Sequence, residues 1–371
     1  MFYNIRCGTY IIYMGLFLTK GGLAVQEILY LQKKIVPELV EVLEKRYSIL
    51  RTIYYNQPIG RRVLANQLDL GERIVRNEIN FLKSQNLIEI NTPGMTVTEE
   101  GEEIVDKLKE FIHEIKGLSD IEENIKNFLG LKEVIIVPGD VEKSKTILKE
   151  IGKATAQCLK SIIEDNNIIA ITGGNTIKEF VEAMPKINKV SNILVVPARG
   201  GMGRKVEIQA STLAASLAKK LNGAYKLLHI PENLSLNLLD TLLKEKEIKE
   251  VIDNIHKANI LIYGIGEALV MAEKRDVSSD EFNKLKSLGA VGEAFGCYFN
   301  KDSKVVSENT SIGININEAR KINTHIAVAA GENKVDAIIA TMMNNHNAIL
   351  VTDEAAGIKI MEFIKEHNKL A

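Results

Sequence analysis

The sequence contains no tryptophan and only three cysteines among its 371 residues. Cys7, Cys158 and Cys297 form an odd and widely scattered set, which excludes a disulfide framework and the paired spacing of a zinc site. The six histidines are also isolated from one another, so no metal-ligand motif is visible. We therefore predict no metal and no cofactor, and this cysteine usage fits the reducing environment of the cytoplasm.

A charge excess of either sign and a long hydrophobic run are missing too. The net charge is −1, so the whole-chain charge does not indicate a polyanionic partner. The apolar stretch YIIYMGLFL near the N-terminus is too short to span a bilayer, and we predict no membrane partner. A cleavable signal peptide is the alternative for this stretch, but a single cation, Arg6, precedes it. We interpret residues 1–23 as a disordered extension or the product of a start codon placed too early.

Charge is instead segregated along the chain. Between Lys45 and Lys83 eight basic residues oppose three acidic ones, whereas residues 99–123 contain ten acidic and three basic residues. From Leu131 onward, apolar runs alternate with helical patterns. We therefore predict a basic helical domain over 24–98, a linker helix over 99–130 and an α/β domain over 131–371.

The predicted linker helix carries a short apolar seam. Its members recur at spacings of 4, 3, 4 and 3, and they are Ile104, Leu108, Phe111, Ile115 and Leu118. This is the a/d pattern of a coiled coil, but it covers only about two heptads and meets Gly117. The pattern fits a helix that faces a second copy in a homo-oligomer, and it fits equally a helix packed on its own domain.

The basic zone has the element order of a winged helix-turn-helix. It begins with a helical pattern over 61–70, which a turn at Gly71 separates from a second helical pattern. Two extended pieces around Pro93 follow. In this fold the second helix enters the major groove of double-stranded DNA. We predict that the second helix contacts DNA through Arg73, Arg76, Asn77 and Asn80. At the start of the first helix, Arg61 and Arg62 should contact phosphates. The alternative is a solvated basic face on a small helical domain.

Seven apolar runs predict the strands of a doubly wound, Rossmann-like parallel sheet. Most runs are continuous, as expected for strands that are covered on both faces. They cover residues 133–139, 168–172, 193–198, 225–230, 258–266, 325–330 and 347–351. A β-rich stretch over roughly 290–317 predicts a small antiparallel excursion from this sheet.

Glycine-rich segments follow four of these strands, namely TGGNT (172–176), PARGGMGR (197–204), GIGEA (264–268) and AAGENK (329–334). Ligands of open α/β sheets bind beyond the carboxyl ends of the strands, so these turns should converge on one anion site. Their glycines include Gly200, Gly264 and Gly266, and Arg199, Arg275 and Lys334 are the cations placed to reach the site. Because Arg275 and Lys334 come from much later segments than Arg199, they could meet the far end of a ligand.

Glu293, in the segment GEAFG, allows three interpretations. Its carboxylate could accept hydrogen bonds from sugar hydroxyls, or act as a general base paired with Lys334. It could also be a surface residue of the β-rich stretch. The spacing does not decide between these roles.

In combination, these motifs resemble the SorC-type sugar-binding transcriptional regulators. The likeness covers about residues 25–371. It implies that the α/β domain shares its fold with glucosamine-6-phosphate deaminase and ribose-5-phosphate isomerase, but senses a phosphosugar without converting it. The resemblance also implies fructose 1,6-bisphosphate as the effector and, as the partner, an operator ahead of glycolytic genes that the protein represses.

The resemblance further implies which residues bind the effector. They are Thr172, Gly173, Gly174, Asn175, Thr176, Arg199, Gln209, Arg275, Glu293 and Lys334. Two positions depart from the family pattern, since Asn175 stands where Ser or Thr is frequent and Gly71 stands where Ser or Asp usually caps the second helix. The competing interpretation is a sugar-phosphate isomerase or deaminase with an accessory N-terminal domain, and the basic zone favours the regulator. A third interpretation keeps the regulator and replaces fructose 1,6-bisphosphate with another phosphorylated sugar.

Overall fold

The computed structural model describes residues 34–201, 205–228, 230, 241–242, 244–308 and 313–370. The predicted extension over 1–23 and the predicted beginning of the first domain, 24–33, lie outside the described residues. The chain divides into two compact units with the boundary between Gly117 and Leu118. The first unit is mainly helical, and the second is α/β.

The first unit is a helix-turn-helix followed by a two-stranded wing. Its helices are α1 (Pro37–Asn56), α2 (Arg61–Leu68), α3 (Glu72–Ser84) and α4 (Glu99–Ile115), and its strands are β1 (Ile88–Asn91) and β2 (Gly94–Val97). The two strands pair antiparallel, with Ile88 opposite Val97. The predicted order of helix, turn, helix and hairpin is confirmed.

Backbone contacts hold the wing against the helices. Ile59, in the loop before α2, exchanges two backbone hydrogen bonds with Met95 of β2, at 3.1 and 2.9 Å. Gly94 has a φ of +144°, and a Cβ at this position would lie 2.9 Å from backbone atoms of Ile59. A side chain would therefore be both strained and crowded at Gly94. The wing is consequently part of the packed domain and does not project from it alone.

The predicted linker over 99–130 is two helices that belong to different units. α4 ends at Ile115, and Gly117 follows with a φ of +64°, a left-handed conformation that commonly ends helices. The next helix, α5 (Leu118–Leu129), lies in the second unit. The prediction of one linker helix over 99–130 is therefore wrong, because the helix ends before Gly117, whose backbone is left-handed.

The apolar seam is divided in the same way. Ile104 and Leu108 pack against the hydrophobic core of the first unit, whereas Leu118 is buried in the core of the second. This corresponds to the alternative in which the seam packs on its own domain. These three positions therefore cannot together form one oligomerisation surface.

The second unit is built on a ten-stranded sheet, of which seven strands run parallel. From edge to edge, the parallel strands are β6 (Ala224–Tyr225), β5 (Leu194–Pro197), β4 (Ile168–Ile171), β7 (Ile260–Glu267), β11 (Thr324–Val328), β12 (Ala348–Asp353) and β3 (Glu133–Val137). β5 and β6 extend from one side of β4, and β7, β11 and β12 return on its other side. The sheet thus has a topological switch point between β4 and β7, where doubly wound folds bind ligands.

The excursion is a set of antiparallel strands attached to the distal half of β7. They are β8 (Ala290–Ala294), β9 (Cys297–Asn300) and β10 (Val305–Glu308). Gly266 of β7 lies opposite Glu293 of β8. The antiparallel excursion is confirmed over these strands. The strand predicted over 225–230 is wrong in its extent, because among the described residues of this stretch the strand that pairs with β5 contains only Ala224 and Tyr225.

Helices cover both faces of the parallel sheet, as the continuous apolar runs predicted. After α5 they are α6 (Lys145–Ile162), α7 (Asn175–Ala183), α8 (Ala210–Lys220), α9 (Lys246–His256), α10 (Ala268–Lys274), α11 (Ser279–Ser287), α12 (Ile316–Ala319), α13 (Val335–Met342) and α14 (Glu354–Leu370). Ile169 of β4 packs with Phe180 of α7 on one face, and its neighbour Ala170 belongs to the core on the other face, with Ile338 of α13. Among the residues that the structure describes, no helix has the length and apolar character needed to cross a membrane.

Candidate functional site

The exposed face of α3 carries the four side chains predicted to contact DNA. Arg73, Arg76, Asn77 and Asn80 are all exposed, and their spacing of i, i+3, i+4 and i+7 places them on one face of the helix. The opposite face is buried through Val75, Glu78, Ile79 and Leu82. α3 therefore presents a continuous polar surface of the kind that enters a major groove.

The remaining predicted DNA contacts lie at the start of α2. Arg61 and Arg62 are exposed there. Arg62 Nε lies 3.4 Å from Glu72 Oε1 in the first turn of α3. Because both side chains of this pair are exposed, it stabilises the domain only slightly and leaves Arg62 accessible to a phosphate.

Three cations of the basic zone have other roles. Arg51 is buried, and Lys45 and Arg46 form ion pairs with Glu78. The other basic residues of this zone lie on α2 and α3. The positive charge that can meet DNA is therefore more concentrated on these two helices than the charge count along the sequence suggested.

The first predicted effector turn connects β4 to α7. Gly174, with a φ of +120°, precedes α7, and among the described residues no side chain caps this helix. The first-turn N–H groups, including those of Asn175 and Thr176, have no intrahelical partner. They give the helix start a partial positive charge at the switch point of the sheet. This geometry suits a phosphate.

The segment before α8 packs directly on this turn. The Gly174 N–H donates to the carbonyl oxygen of Ile208 at 2.9 Å. A Cβ on Gly173 would lie 2.5 Å from the same oxygen, so glycine is needed there. Thr172 Oγ1 accepts a hydrogen bond from the Gly264 N–H at 3.4 Å. The structure thus brings the turn after β4 next to the middle of β7.

The turn after β5 lies alongside. The Ala198 N–H donates to the Ile171 carbonyl at 2.8 Å, which joins the ends of β4 and β5. Gln209, the residue before α8, has its Oε1 atom 3.0 Å from the position that a Cβ on Gly201 would occupy. Gly200 is buried between Arg199 and Gly201. The Thr172–Thr176 turn, Gln209 and this second turn therefore form one neighbourhood.

The guanidinium of Arg199 contacts the antiparallel excursion. Arg199 is buried, and its Nη1 donates to the carbonyl of Phe295 and, at 3.4 Å, to that of Ile314. Phe295 and Gly296 form the turn between β8 and β9, and both have positive φ. Arg199 therefore links the end of β5 to this turn.

Arg275 and Glu293 form a buried ion pair on the other side of that turn. Arg275 Nη2 lies 2.8 Å from Glu293 Oε1, and the two side chains are only 4% and 3% exposed. Glu293 Oε1 also accepts the Gly296 N–H, and Arg275 Nη1 donates to Tyr298 Oη at 3.3 Å. The interpretation of Glu293 as a surface residue is wrong, since its carboxylate is enclosed by these donors.

Lys334 lies beyond the end of β11 in a short 3-10 helix, Glu332–Lys334, and is half-buried. Burial lowers the pKa of Lys334, and the nearby charge of Lys274 lowers it further. Glu267 and Asp353 raise it in turn. An anion bound beside Lys334 would offset the cost of burying its positive charge.

Asp353 joins two loops and the first turn of α14 at the carboxyl ends of the strands, and sequence reasoning missed it. Its Oδ1 accepts from the N–H groups of Gly331 (3.0 Å) and Ala356 (3.2 Å), and its Oδ2 accepts from Val141 (2.9 Å). Burial raises the pKa of Asp353 although these hydrogen bonds oppose the rise. Its position at the end of an apolar strand was the available signal.

A separate cleft of about 450 Å³ opens beside α10 and α14. Its charged lining is acidic except for Lys359, and the acidic residues are Glu267, Glu332, Asp336, Glu362 and Glu366. Such a surface repels phosphate, so the cleft does not match the predicted anion site. In the part of the chain that the structure describes, no cluster of three or more His, Cys, Asp or Glu could hold a metal ion.

Two family models match the two units. Residues 42–112 match the CggR N-terminal DNA binding domain, and residues 113–362 match a sugar-binding domain. The chain is 42% identical over 335 residues to the central glycolytic genes regulator of Bacillus subtilis (strain 168), which covers 90% of this chain and 98% of that protein. The regulator of the same name from Priestia megaterium is 40% identical over 344 residues, which cover 92% and 100%.

A solved structure agrees with these matches. The crystal structure of a SorC family transcriptional regulator from Enterococcus faecalis superimposes with a TM-score of 0.62 and 36% identity, over 65% of this chain and 99% of that chain. The chain belongs to the SorC-type family of sugar-binding transcriptional regulators. As a SorC-type regulator, it has a DNA-binding unit followed by a sugar-binding unit, and it is not an enzyme.

Proposed function

We propose that this SorC-type regulator represses glycolytic genes and that a phosphorylated sugar, fructose 1,6-bisphosphate, controls its binding to the operator. The observation that carries the effector proposal is the start of α7 behind Gly173 and Gly174, which no described side chain caps and which lies at the switch point of the sheet. The glycolytic assignment is supported by the two relatives of 42% and 40% identity, which are both named central glycolytic genes regulator.

The proposed site for one phosphate is the start of α7. Backbone N–H groups of Asn175 and Thr176 and the hydroxyl groups of Thr172 and Thr176 would donate to its oxygens. Arg199 lies in the adjacent turn, after β5, and its guanidinium would contribute a positive charge. In the described structure its guanidinium donates to backbone carbonyls, so a phosphate would compete with those acceptors for the same N–H groups.

Lys334 is the proposed cation for the second phosphate, because it follows β11, the neighbour of β7. Gln209, Gly200, Gly264 and Gly266 complete the proposed site as residues of the turns and of β7. Glu293, on β8 of the excursion, and Arg275, at the end of α10, are proposed to support it. Their ion pair holds Gly296, next to the Phe295 carbonyl that receives Arg199.

We expect fructose 1,6-bisphosphate to bind more tightly than fructose 6-phosphate or glucose 6-phosphate. A charge-assisted hydrogen bond to phosphate contributes about 1.5–3 kcal/mol. Loss of one phosphate should therefore lower affinity by roughly tenfold to a few hundredfold. Isothermal titration calorimetry of the full chain with the three sugars measures this ratio directly.

Lys334→Met and Arg199→Ala should each reduce this preference for the bisphosphate. The matched control is Lys359→Ala, which removes a cation from the acidic cleft and should leave all three affinities unchanged. Equal affinities of the wild type for bisphosphate and monophosphates would mean a single phosphate site and would refute the bisphosphate assignment. A loss of binding in Lys359→Ala alone would instead move the site to the cleft.

We also propose a homo-oligomer, with dimers that pair into tetramers on DNA. Two-fold protein symmetry matches the repeated half-sites that helix-turn-helix proteins bind. The apolar seam does not support this proposal, since Ile104 and Leu108 pack within the first unit. Sedimentation velocity should show dimers or larger species, and a monomer both with and without operator DNA would contradict the proposal.

A further inference from the structure

Glu78 is an acidic side chain on the buried face of the DNA-binding helix α3, and it is held by two cations of α1. Arg46 Nε lies 2.9 Å from Glu78 Oε2, and Lys45 Nζ lies 3.0 Å from Glu78 Oε1. Both carboxylate oxygens are thus engaged by neighbouring residues of one helix. Burial favours the neutral acid, but the hydrogen bonds and charges of Arg46 and Lys45 lower the pKa of Glu78 overall. The carboxylate is therefore ionised at neutral pH, and its bonds are charge-assisted.

Arg46 makes a second contact with the same helix. Its guanidinium carbon lies 3.6 Å from the centre of the Phe81 ring, within the range of a cation–π interaction. Glu78 and Phe81 are three residues apart, so they are neighbours on one flank of α3. A single planar side chain of α1 therefore holds α3 at two points almost one turn apart.

Two such points restrict rotation of α3 about its own axis as well as its distance from α1. Rotation matters because successive residues of a helix differ by about 100° in direction. The exposed residues Arg73 and Asn77 can form bidentate hydrogen bonds with base edges only within a narrow range of orientations. Contacts with phosphates tolerate more variation, since they depend mainly on charge.

We propose that Glu78 and Arg46 are positioning residues that fix the rotation of α3 and thereby control the discrimination between operator and other DNA. Neither side chain is assigned a contact with DNA. The proposal rests on operator binding by α3, the function proposed above. It predicts that loss of the clamp lowers operator affinity while affinity for unrelated DNA is retained.

The test compares the full-length wild type with Glu78→Gln, which keeps the shape of the side chain and removes its charge. Fluorescence anisotropy is measured at one salt concentration on the upstream duplex that the wild type protects from nuclease, and on a scrambled duplex of equal composition. We expect the ratio of the two affinities to fall about tenfold, the effect of about one mismatched base pair. Affinity for the scrambled duplex should not fall.

Arg46→Lys is the second variant, because lysine keeps the charge but lacks the planar group that joins Glu78 to Phe81. It should lower the ratio as well. The control is Glu103→Gln, which breaks an exposed pair with Lys107 in α4 and should change neither affinity. Thermal unfolding curves identify a temperature at which the folded variants can be compared, and anisotropy is measured there. A variant that does not fold is replaced by Arg46→Met.

An unchanged ratio in the folded Glu78 and Arg46 variants would overturn the proposal. Equal losses on both duplexes would overturn it too, because they would indicate a purely structural role. A wild type that does not prefer its upstream duplex over the scrambled one would instead refute the operator function on which the proposal rests.

Discussion

Glu293→Ala should destabilise the second unit by about 3–5 kcal/mol, the cost of breaking a buried ion pair from one side. Its partner Arg275 is 4% exposed, so the guanidinium would remain out of water without the carboxylate that balances its charge. The Gly296 N–H would lose its acceptor as well. Denaturant unfolding followed by circular dichroism measures the free energy of unfolding.

The matched control for this prediction is Asp336→Ala. Asp336 pairs with Lys301 at 3.0 Å, but the side chains of this pair are 51% and 73% exposed. Exposed pairs contribute about 0–1 kcal/mol. Replacing both buried partners, as in Glu293→Leu with Arg275→Met, should recover much of the loss, because no uncompensated charge then remains. Equal costs for Glu293→Ala and Asp336→Ala would contradict the assignment of a buried, structural pair.

Simultaneous replacement of Arg73 and Arg76 by alanine should weaken operator binding by roughly 2–6 kcal/mol, since each base contact contributes about 1–3 kcal/mol. Both side chains are exposed on α3, on the face opposite its buried residues. The loss should be larger on the operator than on unrelated DNA. Anisotropy titration of the single and double variants on both duplexes measures it.

Arg61→Ala tests the other class of contact. Arg61 is exposed at the start of α2, where a phosphate contact contributes equally to all sequences. We expect this variant to bind both duplexes more weakly and by the same factor. The slope of log affinity against log salt concentration should fall in magnitude by about 1. Lys107→Ala, on α4, is the control without a predicted effect. If the double variant Arg73→Ala, Arg76→Ala binds the operator like the wild type, α3 is not the helix that reads DNA.

The parts of the fold that the sequence predicted are those with a local pattern. The helix order over 61–84 follows from periodicity. The continuous apolar runs over 133–139 and 347–351 predicted the strands observed as Glu133–Val137 and Ala348–Asp353. The glycine turns that follow β4 and β5 also lie side by side, as expected of turns at the carboxyl ends of parallel strands. Gly117 was visible in the sequence as a glycine within the apolar seam, but the sequence alone did not show that its φ is +64° or that the boundary of the two units follows it.

The candidate site was predictable only to the level of its backbone. Thr172–Gly174 and Gly264 meet because they follow or belong to neighbouring strands. The partners of Arg199 and Arg275 did not follow from their positions in the sequence, because those partners, the Phe295 carbonyl and the Glu293 carboxylate, lie in the antiparallel excursion. Asp353 was missed because its role is to accept backbone N–H groups from segments far apart in the sequence.

The charge count along the sequence had a similar limit. Lys45 and Arg46 were counted with the basic DNA-binding zone, yet they face Glu78 inside the first unit. A net charge in a segment does not distinguish a solvated cation from one that neutralises a buried acid. The helical spacing of Arg73, Arg76, Asn77 and Asn80 was the more informative signal, since it depends on direction as well as charge.

The most direct test of the account is a mobility-shift titration of the full-length protein on the DNA upstream of its own gene, with and without fructose 1,6-bisphosphate. The account predicts a shifted complex that resists unrelated competitor DNA and that fructose 1,6-bisphosphate changes at concentrations where fructose 6-phosphate has little effect. Glu103→Gln should behave like the wild type in both respects. Binding without preference for the upstream DNA, or preferential binding that neither sugar alters, would contradict a sugar-controlled regulator.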